Sequence, residues 1–204
     1  MSVIVTGGAG FIGSNLIRGL NARGIVDIWV VDNIGSSHKF KNLIGCEFKQ
    51  YLHKDDFRNL VRENKFNDKV SAIFHQGACS NTMELNGNYM LDNNYQYSID
   101  LLDFAIRNEI HFIYASSAAV YGAGTQFKED RVNESPLNVY GYSKFIFDEL
   151  VRERLNETKS QIVGLRYFNV YGPRENHKGQ MASVSYHLFN QMSEGGALTL
   201  FEGS

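Results

Sequence analysis

The stretch Val3-Ile4-Val5-Thr6-Gly7-Gly8-Ala9-Gly10-Phe11-Ile12-Gly13 leads from apolar strand-forming residues into three glycines spaced three apart, Gly7, Gly10 and Gly13. Apolar residues then resume at helical spacing through Ile12, Leu16, Ile17 and Leu20, so the pattern reads strand, tight turn, helix. Gly7 permits the sharp turn, Gly10 lets the backbone approach a pyrophosphate, and Gly13 lets the helix pack close to the strand. The free N–H groups and positive dipole end of that helix would face the anion. A second apolar run, Ile28-Trp29-Val30-Val31, ends at Asp32, an acid placed to hold the adenosine ribose of a dinucleotide.

Working outward, strand-like and helix-like segments alternate, which predicts an α/β fold: a Rossmann-type doubly wound parallel sheet with crossover helices. Strands are expected near 2–6, 28–31, 46–51, 70–74, 111–115 and 162–167, and helices near 11–21, 54–64, 88–107, 140–155 and 180–193. Residues 1–170 read as the dinucleotide-binding domain and 171–204 as the beginning of a substrate-binding lobe. The run Leu198-Thr199-Leu200-Phe201 reads as one more strand with nothing to close it, so a C-terminal remainder is expected beyond Ser204 and the 204-residue chain is expected to turn over little by itself.

The chain has 43% hydrophobic and 13% aromatic residues, enough for a sizeable core and against disorder. A formal net charge of −2 offers nothing to nucleic acid or an anionic membrane. Cys46 and Cys79 lie in different segments and form no metal-type pair, so neither a disulfide nor a metal site is expected. No signal peptide precedes Val3 and no apolar run approaches the ~18 residues of a membrane span, so a soluble, cytoplasmic protein is expected.

The chemistry concentrates in Tyr140-Gly141-Tyr142-Ser143-Lys144. On a helix four residues advance roughly 400°, so Tyr140 and Lys144 share a face while Tyr142 sits about 160° from Lys144. An ammonium beside a phenol is expected to lower the phenol's pKa and make Tyr140 a usable acid or base. Upstream, Ser116-Ser117 ends a strand, and a serine there could bond the substrate oxygen that Tyr140 protonates.

With the loop Ser116-Ser117-Ala118-Ala119-Val120-Tyr121-Gly122, these features together resemble the extended short-chain dehydrogenases/reductases. Narrower stretches resemble the ADP-heptose 6-epimerase family within that group: Phe74-His75-Gln76-Gly77-Ala78-Cys79-Ser80, Asp92-Asn93-Asn94-Tyr95-Gln96-Tyr97-Ser98, the run from Arg166 to Glu175, His177-Lys178-Gly179, and Phe201-Glu202-Gly203-Ser204. The resemblance implies epimerisation at C6 of an ADP-linked heptose by transient oxidation and re-reduction with a retained nicotinamide cofactor, in service of lipopolysaccharide synthesis. It assigns proton transfer to Tyr140, with Lys144 and Ser117, and a second proton-transfer role to Lys178. It places Phe11, Ile12, Asn33, Gln76, Gly77, Ala78, Cys79, Ser80, Asn93 and Val170 along the cofactor, and Asn169, Gln180, His187, Phe201, Glu202, Gly203 and Ser204 with Ser117 against the nucleotide sugar. Gln180 departs from the small serine of the family, an amide replacing a hydroxyl. His75 is expected to be a satisfied polar neighbour of the cofactor.

Asp32 by itself would favour NAD, since a carboxylate bonds a free 2′-hydroxyl and repels a 2′-phosphate. Lys39 and Lys54 could instead neutralise that phosphate, and the resemblance tips the expectation to NADP with NAD possible. It also suggests a homo-oligomer. Related dehydratases carry an acidic pair directly after the loop hydroxyl, where this chain has Ala118 and Ala119, so dehydration is disfavoured. The alternatives are an epimerase or reductase of a different nucleotide sugar, and a non-catalytic dinucleotide-binding sensor.

Overall fold

The computed structural model describes residues 1–35, 37–195 and 198. Six parallel strands form one sheet: β1 (Ser2–Thr6), β2 (Ile28–Asp32), β3 (Gln50–His53), β4 (Val70–His75), β5 (His111–Ser117) and β6 (Ile162–Tyr167). Their order is β3-β2-β1-β4-β5-β6, so the chain winds outward in both directions from β1, and the crevice opens where β1 and β4 diverge.

β1 is buried along its whole length and alternates between two cores. Ile4 joins Val31, Phe57, Ile73, Leu101, Phe112 and Phe147 on one side. Val3 and Val5 join Ile17, Leu20, Ile28 and Val30 on the other. A parallel strand covered on both faces has no polar face to show, which is why it reads as a continuous apolar run. The helices are α1 (Phe11–Asn21), α2 (Lys54–Arg62), α3 (Gly87–Met90), α4 (Tyr97–Arg107), α5 (Val139–Arg154) and α6 (Val184–Ser193).

Three expectations need correction. The third strand occupies Gln50–His53 rather than 46–51, because Cys46 and Phe48 pack beside the Ile17–Val30 core from a loop and pairing begins only at Lys49 N–H to the Ile28 carbonyl (2.9 Å). The helix expected over 88–107 is interrupted by a π turn, Leu91–Gln96, between α3 and α4. The last helix starts at Val184, capped by Ser183, because a 3₁₀ turn over Asn176–Met181 kinked at Gly179 takes up its expected first residues. The strand expected over 198–201 lies outside the described residues apart from Leu198.

Candidate active site

The turn after β1 brings Gly7, Gly10 and Gly13 to the crevice, and Gly13 is sterically required there: a Cβ would stand 2.2 Å from the Gly7 carbonyl oxygen. Gly10 caps α1 without any side-chain hydrogen bond, and the first turn carries no acid, so the helix N-terminus presents its N–H groups to the cleft. The cleft measures about 920 Å³, room for a dinucleotide together with a sugar, and runs from Asp32 past the glycine turn to Tyr140.

At its outer end the buried Asp32 carboxylate accepts from Ala9 N–H at 2.8 Å, Asn33 N–H at 2.7 Å and the Lys39 ammonium at 2.7 Å. Lys54 donates to Asn93 Oδ1 at 2.8 Å, on the cleft wall. Gln76, Gly77, Ala78, Cys79 and Ser80 line the cleft where β4 ends, as do Phe11, Ile12, Asn33, Asn169 and Val170.

His75 does not line the cleft. It is buried, with Nδ1 2.6 Å from Thr6 Oγ1 and Nε2 2.9 Å from Ser98 Oγ. Because Ser98 Oγ donates to the Asn94 carbonyl and Thr6 Oγ1 accepts from Gly77 N–H, the chain of donors places the proton on Nε2 and leaves Nδ1 as acceptor. Burial, reinforced by the Lys144 charge, lowers its pKa to about 3, so His75 is a neutral structural imidazole.

Tyr140 and Lys144 both reach the cleft from α5, with Ser117 at the end of β5, while Tyr142 is 47% exposed on the other side of the helix. Gly141 permits this: its Cβ would lie 2.7 Å from the Ala119 carbonyl, so only glycine lets α5 sit against the loop that follows Ser117. Asn138 caps the helix, accepting from Gly141 N–H at 2.7 Å. The expected lowering of the Tyr140 pKa is not what the structure gives. Burial raises it, a hydrogen bond with Ser117 partly offsets this, and Cys79 adds to the rise. Lys144 is instead the group brought toward neutrality: burial lowers it to about 8, against the opposing pull of Asp148.

Lys178 also lines the cleft, its ammonium 5.7 Å from the centroid of the Phe11 ring. Its loop is tied to the glycine turn. Asn15 Nδ2 donates to the Pro173 carbonyl (2.9 Å), Asn42 Nδ2 to the carbonyls of Ala9 (3.0 Å) and Arg174 (3.3 Å), and Arg174 to the Ser14 carbonyl (3.2 Å). Arg174 holds a left-handed backbone, φ 76°, a strain that this docking maintains. The Glu175 carboxylate closes the loop by accepting from Gly172 N–H, Ser183 N–H and Ser183 Oγ. Burial opposes its ionisation, but these donors win and hold it below the usual carboxylate range.

Gln180 also lines the cleft; His187 lies on α6 away from its wall, and Phe201, Glu202, Gly203 and Ser204 lie outside the described residues. Sequence reasoning missed Asn42, whose only signal is one amide in the short 3₁₀ turn His38–Leu43, along with Tyr89 and the place of His177 on the cleft wall. The function of Asn94 is likewise not legible in the run Asp92 to Ser98. No helix among the described residues is long and apolar enough to cross a membrane.

The chain matches the profile of the NAD dependent epimerase/dehydratase family over residues 3–204. The chain belongs to that family. Among solved structures it is similar to the Helicobacter pylori ADP-L-glycero-D-manno-heptose-6-epimerase, with 39% identity and a TM-score of 0.83 over 96% of this chain and 64% of that one. It is also similar to the Thermotoga maritima UDP-glucose 4-epimerase (26% identity, TM-score 0.82, 100% and 66% covered). A third is the Bacillus cereus UDP-glucuronic acid 4-epimerase in complex with NAD (27%, TM-score 0.81, 100% and 67% covered). The chain thus spans 64% of the length of the Helicobacter pylori enzyme.

Proposed function

We propose that this family member epimerises a nucleotide sugar, an ADP-linked heptose at C6, using a retained nicotinamide dinucleotide, and that residues 171–204 begin the lobe that receives the sugar. The observation that carries the reading is that Tyr140, Ser117 and Lys144 line one cleft with the glycine turn, and that Lys178, beside Phe11, lines it too. The heptose assignment rests on the 39% identity to the Helicobacter pylori enzyme. The 4-epimerases of UDP-sugars have the same scaffold, so an epimerase of another nucleotide sugar is the second reading.

The uncapped N-terminus of α1 and the side-chain-free approach at Gly10 and Gly13 fit a dinucleotide pyrophosphate. The cofactor's chemistry is to take hydride from the sugar carbon and return it to the other face. The protein's part is proton handling and orientation. Tyr140, hydrogen-bonded to Ser117, exchanges the proton of the sugar hydroxyl as it becomes a carbonyl. Ser117 fixes that oxygen by hydrogen bonding, and Lys144 supplies a nearby positive charge. Lys178 serves the opposite face after the intermediate turns over. For the adenosine end we favour NADP. The Asp32 charge is already compensated by Lys39 and two N–H donors, so it opposes a 2′-phosphate weakly, and Lys39 is in place to bind one.

The test is incubation of the complete protein, with its sugar-receiving lobe, with ADP-heptose and NMR detection of the C6 epimer. Tyr140→Phe should abolish conversion while dinucleotide binding persists. Conversion of a UDP-sugar alone would favour the second reading, and wild-type turnover by Tyr140→Phe would overturn the role of Tyr140.

A further inference from the structure

Behind the cleft lies a cluster of buried charges that the mechanism above does not use. Asp148, on α5 one turn beyond Lys144, is 5% exposed and accepts four hydrogen bonds. Tyr114 donates to its Oδ1 at 2.9 Å and Ser116 to its Oδ2 at 2.8 Å, while Nε and Nη2 of Arg166 each approach Oδ2 at 3.3 Å. All four donor groups, from three residues, are thus on β5 and β6, the strands whose carboxyl ends frame the cleft. Arg166 also pairs with the buried Glu134, which pairs in turn with Arg152, and its guanidinium lies 4.8 Å from the centroid of the Tyr121 ring.

A carboxylate does not accumulate four donors in a protein interior without organising what surrounds it. Asp148 grips Ser116, and the next residue is Ser117, whose hydroxyl faces Tyr140. On the same helix, residues four apart are neighbours, so Asp148 also lies beside Lys144. Lys144 is 4% exposed where it meets the cleft, and among the described residues no neighbouring element brings it a second charge: His75 of β4 is neutral, the π turn meets α5 through Asn94 and Ser143, β5 brings Ser117, and Tyr140 is an un-ionised phenol at neutral pH. The opposite charge that acts on it is that of Asp148.

We propose that Asp148 is a positioning residue of this site: it pins the strand end that bears Ser117 and stands as a buried counter-charge one helical turn from Lys144. The proposal rests on the roles given to Ser117, Tyr140 and Lys144 above. It makes the catalytic lysine dependent on a residue outside the cleft, with Arg166 and Lys144 sharing one carboxylate as counter-charge.

The test reads Lys144 directly, by NMR titration of the lysine ε-carbons in the cofactor-loaded protein, with Lys144→Arg used to assign the resonance. In the wild type Lys144 should titrate below the ordinary lysine value of 10.5. Asp148→Asn keeps the size and removes the charge; it should lower that midpoint by about one unit or more, the scale of losing an adjacent opposite charge. Arg166→Gln should raise it, since Lys144 would no longer compete for Asp148. Ser116→Ala, which removes a hydrogen bond but no charge, should leave it in place. In turnover, Asp148→Asn should lower kcat with the KM for the nucleotide sugar retained, and should move the basic limb of the pH profile downward by the same amount. An unmoved Lys144 midpoint in Asp148→Asn, or an equal shift in Ser116→Ala, would overturn the proposal. Where Asp148→Asn does not fold, the Arg166→Gln midpoint decides alone, and an unchanged or lowered value overturns it. The titration needs no substrate, so a protein that converts no nucleotide sugar would count against the functional reading and leave this result standing.

Discussion

Asn94 and Cys79 are joined twice: Asn94 Oδ1 accepts the Cys79 N–H at 2.8 Å, and Asn94 Nδ2 donates to the Cys79 carbonyl at 3.0 Å. This side-chain amide imitates a strand partner for a segment that has left the sheet. Asn94 can do so because the π turn of Leu91–Gln96 adds a residue to the helical winding at that point. Asn94→Leu would leave a buried donor and acceptor unpaired and is expected to cost about 2–4 kcal/mol. Urea denaturation should show the loss, and dinucleotide affinity should fall with it, because Cys79 and its neighbours line the cleft.

The glycine turn offers a test within a single helix. Gly13→Ala drives a methyl into the Gly7 carbonyl, backbone that has nowhere to move, and should cost about 1–3 kcal/mol and sharply weaken dinucleotide binding. Gly19→Ala, six residues further along α1, meets nothing nearer than 3.8 Å and should stabilise the protein by about 0.5–1 kcal/mol. Thermal melts and cofactor titration of the two variants should therefore move in opposite directions.

The ion pair between Lys39 and Asp32 predicts a change of cofactor preference. Lys39→Ala removes the cation proposed to meet a 2′-phosphate and leaves the Asp32 charge uncompensated. NADP affinity should drop by about tenfold or more, the scale of one charge-assisted hydrogen bond, while NAD affinity changes less. Isothermal titration with both nucleotides checks this, and added salt should narrow the difference.

Neutral His75 gives a pH signature to stability. Its folded pKa, lowered to about 3, lies below the unfolded value of 6.5, so only the unfolded chain takes up its proton between those limits. Full stability is present above pH 6.5 and is lost as pH falls toward 3, at about 1.4 kcal/mol per unit. Between pH 6.5 and 5 most carboxylates stay ionised, and the slope there comes from His75 together with His177, whose pKa burial also lowers. His75→Gln should flatten the slope there, though it starts less stable.

Much of the fold was legible because local rules and the global sheet agree. A doubly buried parallel strand must be apolar throughout, and a turn that brings backbone to within contact of backbone must be glycine; β1 and Gly13 announce both without reference to anything distant. Tyr140 and Lys144 were likewise readable, because helical spacing alone puts them on one face. The expected start of β3 failed because Cys46 and Phe48 alternate like a strand while packing from a loop. The expected lowering of the Tyr140 pKa failed for a different reason. Spacing says which groups are neighbours, but not how much water is removed from each.

The order of strands and helices, the glycine cradle and the shared face of Tyr140 and Lys144 each follow from residues close together in the chain. That Asn94 holds Cys79, that Asn42 ties the Lys178 loop to the glycine turn, and that Arg166 and Lys144 both lie beside Asp148 emerges only once the fold is assembled. Those depend on burial and on contacts between segments 15 to 132 residues apart, such as Asn94 with Cys79 and Asn42 with Arg174. The desolvation that sets protonation there arises only when the whole sheet is assembled.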